Sequence, residues 1–334
     1  MKIIVPMAGM GKRLRPHTLT TPKPLLPIAG KPIVQRLVED IVAISDQKVD
    51  EIAYVVGRFG EAAEKHLIQV AESLGAKGTI HYQDEALGTA HAILCAASAL
   101  SGPVTVAFAD TLFKADFKLD TSKDGVLWVQ KIEDPRQFGV VIINEAGVIT
   151  EFKEKPQEYV SDLAMIGIYY FKDGENLKNE LQYLIDNNIM NSNEYQLPDA
   201  LRNMVKKGAK FTPGAVQDWM DCGNKEAMVD TNKKVLNYLG TDKLPIPSSA
   251  AIENSTIIHP CYIGENVKIS NSVIGPNASI GKGCTVNASI IKNSIVSADT
   301  KIESANIDNS MIGTSASVKG SAQVLSLGDY SVIN

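Results

Sequence analysis

From residue 250 to the C-terminus an aliphatic residue returns at every fifth or sixth position: Ile252, Ile257, Ile263, Ile269, Ile274, Ile280, Val286, Ile291, Val296, Ile302, Ile307, Ile312, Val318 and Val324. Glycine often follows, as in Ile263-Gly264, Ile274-Gly275, Ile280-Gly281 and Ile312-Gly313. This is the pattern of the hexapeptide repeat of parallel β-helices, in which each repeat forms one flat side of a triangular coil. Three sides make a coil of about 18 residues, so the segment is expected to form roughly four coils, with aliphatic residues stacked inside and polar residues at the corners. Composition supports the same reading. Charged side chains are much sparser after residue 250 than before it, no arginine occurs there, and the tail holds no Phe and no Trp. Without large aromatics it cannot build a conventional core, whereas Ile, Val, Ser, Asn and Gly suit a repetitive coil.

The first 240 residues follow another rule. Lys2 to Pro6 reads as a short buried strand, Ile33 to Ile44 as a helix, Glu51 to Val56 as a strand and Glu61 to Leu74 as a helix. Thr79 to Gln83 is extended, Thr89 to Leu100 an Ala-rich helix, and Val104 to Ala109 an apolar strand with Asp110 at its end. Alternating strands and helices specify a parallel sheet with crossover helices, in which ligands gather at the carboxyl ends of the strands. Between Gly125 and Phe171 the pattern becomes β-rich, which suggests a mixed extension of the sheet able to hold a second substrate. Helices are expected again at Asn176 to Asn187, Tyr195 to Lys207 and Lys225 to Leu239, with a strand at Lys210 to Val216. The expected organisation is a domain over 1–240, a Pro-bearing linker over 241–250 and the coil over 251–334.

A chain of 334 residues fits two domains, and 44% hydrophobic residues with a formal charge of -5 place it in the ordinary globular range. The charge excludes a nucleic-acid binder of the basic-patch type. No run is long and apolar enough for a membrane span, and no signal-peptide core follows Lys2, so a cytoplasmic protein with no membrane partner is the expectation. Cys95, Cys222, Cys261 and Cys284 form no C-x-x-C pair and read as small buried residues.

After the first strand comes Met7-Ala8-Gly9-Met10-Gly11-Lys12-Arg13-Leu14, where glycines let backbone N–H groups approach phosphate oxygens. The loop lacks both the Walker A spacing and the G-x-G-x-x-G of dinucleotide folds. Further on, Lys23 is held between prolines in Pro22-Lys23-Pro24, a rigid setting for a cation beside a phosphate loop.

The stretch AGMGKRLRPHTLTTPKPLLPIAGKP resembles the N-terminal signature of the nucleotide-sugar pyrophosphorylases, the sugar-1-phosphate nucleotidyltransferases, including the glucose-1-phosphate thymidylyltransferases. The resemblance continues in order at Gln83 with Leu87-Gly88-Thr89-Ala90, at Phe108-Ala109-Asp110, Phe138-Gly139-Val140-Val141, Phe152-Lys153-Glu154-Lys155-Pro156, Ile166-Gly167-Ile168-Tyr169 and Trp219-Met220-Asp221-Cys222-Gly223. The tail is similar to the left-handed β-helix of longer members. The resemblance therefore implies an α/β class: a Rossmann-like mixed-sheet nucleotidyltransferase domain followed by a left-handed parallel β-helix.

It also implies a reaction. A sugar 1-phosphate oxygen attacks the α-phosphorus of a nucleoside triphosphate and pyrophosphate leaves, which calls for positioning, cations and a metal ion more than for a protein nucleophile. By resemblance, Asp110 and Asp221 hold Mg²⁺, and Arg13 and Lys23 stabilise the triphosphate and the departing pyrophosphate. Lys155 grips the sugar phosphate, Glu154 accepts from sugar hydroxyls, and Gly139 and Gly167 offer backbone groups. Ala8, Gly9, Gly11, Gly88 and Thr89 belong to the nucleotide side. Gln83 is placed to read the base, since an amide that donates and accepts suits the N3–H and carbonyl edge of a pyrimidine. No role is assigned to His17 or His91.

Departures from the pattern leave the substrates open. AGMGKRL is one residue shorter than the loop of many members and has Lys12 where threonine is usual, which resembles UDP-glucose pyrophosphorylases. PKPLLPIAGKP and LGTAHA are closer to the thymidylyl and mannose-1-phosphate guanylyl branches. Gln83 favours dTTP or UTP, and glucose 1-phosphate is the sugar expected from the family. A bifunctional acetyltransferase would need a histidine base in the coil, and the tail has only His259. A non-catalytic regulatory subunit is disfavoured by the presence of Arg13, Lys23, Asp110, Lys155 and Asp221. The edges and aliphatic rows of a coil need covering, so a homo-oligomer built through the β-helix is expected.

Overall fold

The computed structural model describes residues 1–320 and 325–333; Val324, the last of the aliphatic series, lies outside the described residues. By the density of its contacts the chain divides into two units, Met1–Gly9 with Gln35–Trp219, and Met10–Val34 with Met220–Asn334.

The first unit is built on a nine-stranded mixed sheet. Its strands are β1 (Lys2–Pro6), β2 (Glu51–Val56), β3 (Lys77–Tyr82), β4 (Val104–Ala107), β5 (Gly125–Lys131), β6 (Gly139–Ile143), β7 (Ile149–Glu154), β8 (Leu163–Phe171) and β9 (Phe211–Ala215). The main path runs β7-β6-β8-β4-β1-β2-β3, with β5 beside β8 and β9 beside β5. β4, β1, β2 and β3 are parallel neighbours. Ile3, Ile4, Val5, Ile52, Val55, Val104 and Val106 are all fully buried, as continuous apolar strands are when helices cover both faces. β8 runs antiparallel to β4, with Ile168 opposite Ala107, and this begins the mixed extension expected from the β-rich middle of the sequence.

Helices α1 (Ile33–Ile44), α2 (Glu61–Ser73), α3 (Thr89–Leu94), α4 (Gly174–Asp186), α5 (Leu197–Lys206) and α6 (Lys225–Leu239) fall where the pattern places them. Local chemistry sets several of their starts. Asp173 caps α4 by accepting from Asn176 N at 2.9 Å, and Asn224 caps α6 by accepting from Ala227 N at 2.9 Å. α3 is shorter than the Thr89 to Leu100 run suggests. Beyond Leu94 the bonds tighten to three-residue spacing, Ala96 N to Ile93 O and Ala97 N to Leu94 O, and the small side chains of Ala96 and Ala99 are buried in those turns. The core of this unit contains Trp128 and a Phe171–Phe211 edge-to-face pair with centroids 5.9 Å apart.

The second unit contains three stacked parallel sheets of two- and three-residue strands, with six, four and five strands, a β-helix-like arrangement. Ile252, Ile269, Val286, Ile302 and Val318 stack in one sheet, Ile257, Ile274, Ile291 and Ile307 in the next, and Ile263, Ile280, Val296 and Ile312 in the third. Each turn of the coil is shorter than three full hexapeptides, and the turns shorten along the chain. Ala251 pairs with Lys268, Thr285 with Lys301 and Ser317 with Val332, each separation smaller than the one before. The five-residue steps account for the earlier turns, because each removes one residue from a side, as at Val286, Ile291 and Val296.

Corners of such a coil need left-handed backbone, which side chains other than Gly and Asn adopt reluctantly. Asn254, Asn266, Asn271, Asn277, Asn293 and Asn309 all have positive φ, which explains why the tail is rich in asparagine. Buried serines are satisfied rung by rung: Ser272 Oγ donates to Ser270 O and accepts from Ser289 N at 3.0 Å, and Ser289 Oγ accepts from Ala305 N at 3.1 Å.

The part of the signature from Met10 to Val34, with Gly11, Gly30 and the prolines, belongs to this second unit. Asn232 of α6 is fully buried, and its Oδ1 accepts from Ala29 N at 2.9 Å and from Ser279 Oγ at 2.8 Å. The ring of Tyr262 lies on Gly30, where a Cβ would stand 2.2 Å from the ring carbons. Toward the other end of the coil, His17 Nε2 is 3.1 Å from Ser326 Oγ, and Thr20 donates to Asp329, whose other carboxylate oxygen accepts from Thr314 N. One side of the coil is thus occupied by residues of its own chain.

Candidate active site

In the first unit four parallel strands end at one edge, and the chain leaving three of them carries expected site residues: Ala8 and Gly9 after β1, Gln83 after β3 and Asp110 after β4. Met7 N donates to Val55 O at 2.8 Å, which carries the strand pairing up to Ala8, and around Gly9 the space a side chain would take is open. Gln83 N donates to Val56 O at 3.0 Å. Its Nε2 lies 3.2 Å from Gly88 O and 3.1 Å from His91 Nδ1. Gly88 has φ 103, and a Cβ there would stand 2.5 Å from Tyr195 O, so only glycine fits. The hydroxyl of Thr89, expected at the nucleotide, accepts from Leu197 N at 2.9 Å and lies 3.2 Å from Gln196 Oε1, tying the start of α3 to that of α5.

The residues expected on the sugar side come from the antiparallel extension. Gly139 on β6 is paired with Glu154 on β7, and a Cβ on Gly139 would sit 2.8 Å from Glu154 Oε2. Glycine here makes room for that carboxylate. Lys155 follows with positive φ, its N–H donating to Phe138 O at 3.1 Å, so that the chain turns away from the sheet just after the Glu154-Lys155 pair. Gly167 O accepts from Phe108 N at 2.9 Å, which holds the Gly167 backbone next to the turn that presents Asp110.

Tyr169 has no role in the sequence reading although it stands in one of the motifs. Its side chain is buried, and that burial, followed by the charges of Glu154 and Asp110, raises its hydroxyl above the ordinary value. It therefore stays a neutral hydroxyl within electrostatic reach of both carboxylates. Phe138 and Trp219 form a second feature: their rings stand edge to face at 4.9 Å, and Trp219 Nε1 donates to Thr111 Oγ1 at 2.5 Å. Both aromatics lie in motifs, so the sequence marked their positions without showing that they meet.

The remaining expected site residues lie in the second unit. Gly11 has φ 58, and its carbonyl accepts from Thr18 Oγ1 at 2.8 Å. A Cβ there would stand 2.9 Å from Lys23 Cβ, so the glycine of the loop and the lysine between prolines are packed together. Lys23 is mostly buried while Arg13 is exposed. Asp221 is fixed in a turn: Gly223 N donates to its Oδ1 at 3.0 Å, and Thr231 Oγ1 of α6 donates to its carbonyl at 2.6 Å.

An open α/β sheet with polar residues at its carboxyl-end edge has the layout of a ligand-binding α/β enzyme. The profile of the family described as nucleotidyl transferase matches residues 2–238, and the chain belongs to that family. It is similar to the glucose-1-phosphate thymidylyltransferase of Streptomyces antibioticus, at 29% identity over 361 residues, covering 100% of this chain and 99% of that protein. It is also similar to the mannose-1-phosphate guanylyltransferase catalytic subunit beta of Drosophila pseudoobscura pseudoobscura, at 30% identity over 294 residues, covering 85% of this chain and 72% of that one. Among solved structures, the nucleoside-diphosphate-sugar pyrophosphorylase from Vibrio cholerae RC9 shares the fold, with a TM-score of 0.60 and 20% identity over 69% of this chain and 99% of that chain. The expectation of a sugar-1-phosphate nucleotidyltransferase agrees with the family and with both relatives. Among the described residues no helix is long and apolar enough to cross a membrane.

Proposed function

We propose that the protein transfers a nucleotidyl group from dTTP or UTP to glucose 1-phosphate, releasing pyrophosphate and forming a nucleoside-diphosphate sugar. The observation that carries this reading is the edge of the first unit, where Gln83, Asp110 and the Glu154 carboxylate lie on the ends of strands in one sheet, with Tyr169 feeling both carboxylates. A base reader and a sugar-hydroxyl acceptor on one sheet edge suit two substrates that must meet at one phosphorus.

In this reading the sugar phosphate oxygen forms a new bond to the α-phosphorus as the bond to the β-phosphate oxygen breaks, and pyrophosphate carries away the electron pair. Arg13 and Lys23 stabilise the triphosphate and the leaving group, with the backbone at Ala8, Gly9 and Gly11 and the start of α3 at Gly88 and Thr89 contributing on the nucleotide side. Lys155 holds the sugar phosphate, Glu154 accepts from the sugar hydroxyls, and Gly139 and Gly167 offer backbone groups. Glu154 is exposed at the end of β7, where a ligand can reach it.

In this reading Asp110 and Asp221 carry the metal-ligand role. Their carboxylate oxygens are hard donors, and no group of three or more His, Cys, Asp or Glu among the described residues forms a ready-made cage. That donor set suits Mg²⁺, which fills its shell with water and substrate phosphates and neutralises charge on them when bound.

The guanylyltransferase relative supports a second reading, GTP with mannose 1-phosphate. A matrix of five triphosphates against several sugar 1-phosphates, with Mg²⁺ and pyrophosphate as the readout, tests both. Release with dTTP or UTP and glucose 1-phosphate is the expected result, and no release in any cell of the matrix would overturn the assignment. We further propose that 1–240 acts as the catalytic domain and that the coil over 251–334 mediates a cytoplasmic homo-oligomer; a single-subunit mass by light scattering would remove the second part.

A further inference from the structure

The contacts around Gln83 settle which way its amide points. A backbone carbonyl can only accept, so the side-chain atom 3.2 Å from Gly88 O is the amide nitrogen. The same nitrogen lies 3.1 Å from His91 Nδ1, so that ring nitrogen accepts and the ring carries its hydrogen on Nε2. Both hydrogens of the Gln83 amide are then engaged. What remains is Oε1, an acceptor, and no group among the described residues is seen donating to it. The arrangement is held from behind: Gly88 O also accepts from Ala92 N at 3.1 Å, and Gly88 is confined by Tyr195. Gln83 and His91 are both half-buried, so the amide oxygen is within reach of a ligand.

We infer that His91 is a positioning residue that makes Gln83 an acceptor-only reader, so that the site takes bases with a ring N–H and rejects bases that present a lone pair there. Uracil and thymine offer N3–H and guanine offers N1–H, whereas cytosine N3 and adenine N1 would face the amide oxygen lone pair to lone pair. The amino group of cytosine or adenine can meet Oε1 only if the ring slides along its edge. This replaces the expectation of a glutamine that donates and accepts at once with one that only accepts, because both amide hydrogens are engaged within the chain, and it rests on the assignment of Gln83 to the base.

The test is calorimetric binding of UTP, dTTP, GTP, CTP, ATP and N3-methyl-UTP to the full chain with Mg²⁺. CTP and N3-methyl-UTP should each bind at least about tenfold more weakly than UTP, the order imposed by one unpaired hydrogen-bond partner. His91→Phe removes the acceptor and frees an amide hydrogen, so the UTP-to-CTP ratio should fall at least about fivefold, while His91→Asn, which keeps an accepting oxygen, should preserve it. Equal binding of UTP and N3-methyl-UTP to the unaltered chain would overturn the inference without recourse to any variant, as would an unchanged ratio in a folded His91→Phe protein. Selective binding with no pyrophosphate release from any sugar phosphate would sustain the inference and overturn the transfer reaction. Pyrophosphate release from CTP or ATP as readily as from UTP would do the reverse.

Discussion

The two units solve the problem of holding functional residues in opposite ways. In the coil the rungs repeat much the same environment: an aliphatic residue inside, left-handed corners and, at several corners, a serine passing a hydrogen bond to the next rung. In the mixed sheet no two positions are equivalent, and several of the expected site residues depend on a partner far away in sequence, as Gly167 does on Phe108 and Thr89 on Leu197. The coil is a platform whose stability is spread over many like contacts. The sheet edge, in the function proposed for it, rests its chemistry on a few unlike ones.

If that contrast is right, one substitution should silence the sheet edge without loosening either unit. Asp110→Asn should lower pyrophosphate release by about 1,000-fold, the scale of losing a charged group that serves the transition state, with the thermal melt unchanged. An active Asp110→Asn enzyme would remove Asp110 from the chemistry. In the coil the equivalent blow is to the core. Ile291 is fully buried between Ile274 and Ile307, and Ile291→Ala should cost about 3 kcal/mol of stability in the second unit, read by denaturant titration.

Asn232 tests whether the signature loop truly leans on the coil. Asn232→Ala leaves Ala29 N and Ser279 Oγ without their shared acceptor, at a cost of about 1–3 kcal/mol, and the Ala29 amide should exchange faster with solvent. Exchange at the unaltered rate would show the loop to be held by other contacts.

The smallest effect is a pH dependence. Burial is the first cause that pushes the His17 imidazole below its ordinary 6.5, against the opposing charge of Asp329. The unfolded chain therefore binds the proton more readily than the folded one, and stability falls as pH drops below 6.5 toward the lowered value, while above 6.5 this contribution is constant. His17→Gln should flatten that slope in melts taken between pH 7 and pH 5, a window set by the imidazole value and its downward shift.

Much of the fold and part of the site are legible in the residues alone. The five- and six-residue recurrence places an aliphatic residue on each of thirteen rungs that the structure describes, from Ile252 to Val318. Ordered motifs point to the family and mark Gln83, Asp110, Glu154 and Lys155. What stays hidden involves pairs. His91 has no role in the sequence reading because a histidine in an Ala-rich helix gives no sign that its ring will meet a glutamine eight residues earlier across a glycine turn. Tyr169 passes as a strand residue because its nearness to two carboxylates depends on β8 lying between β4 and β6.

The periodic and local features needed nothing beyond the order of the residues: the repeat of the coil, the alternation of the sheet and the family motifs. They follow from rules acting over a few residues, such as strand period and helix period. Two features came only with the folded chain. The signature loop is anchored on Asn232 and Tyr262, and Gln83 is left with an acceptor alone. Those outcomes depend on which distant groups come within hydrogen-bond reach, and sheet order and coil register set that proximity, while residue spacing alone does not.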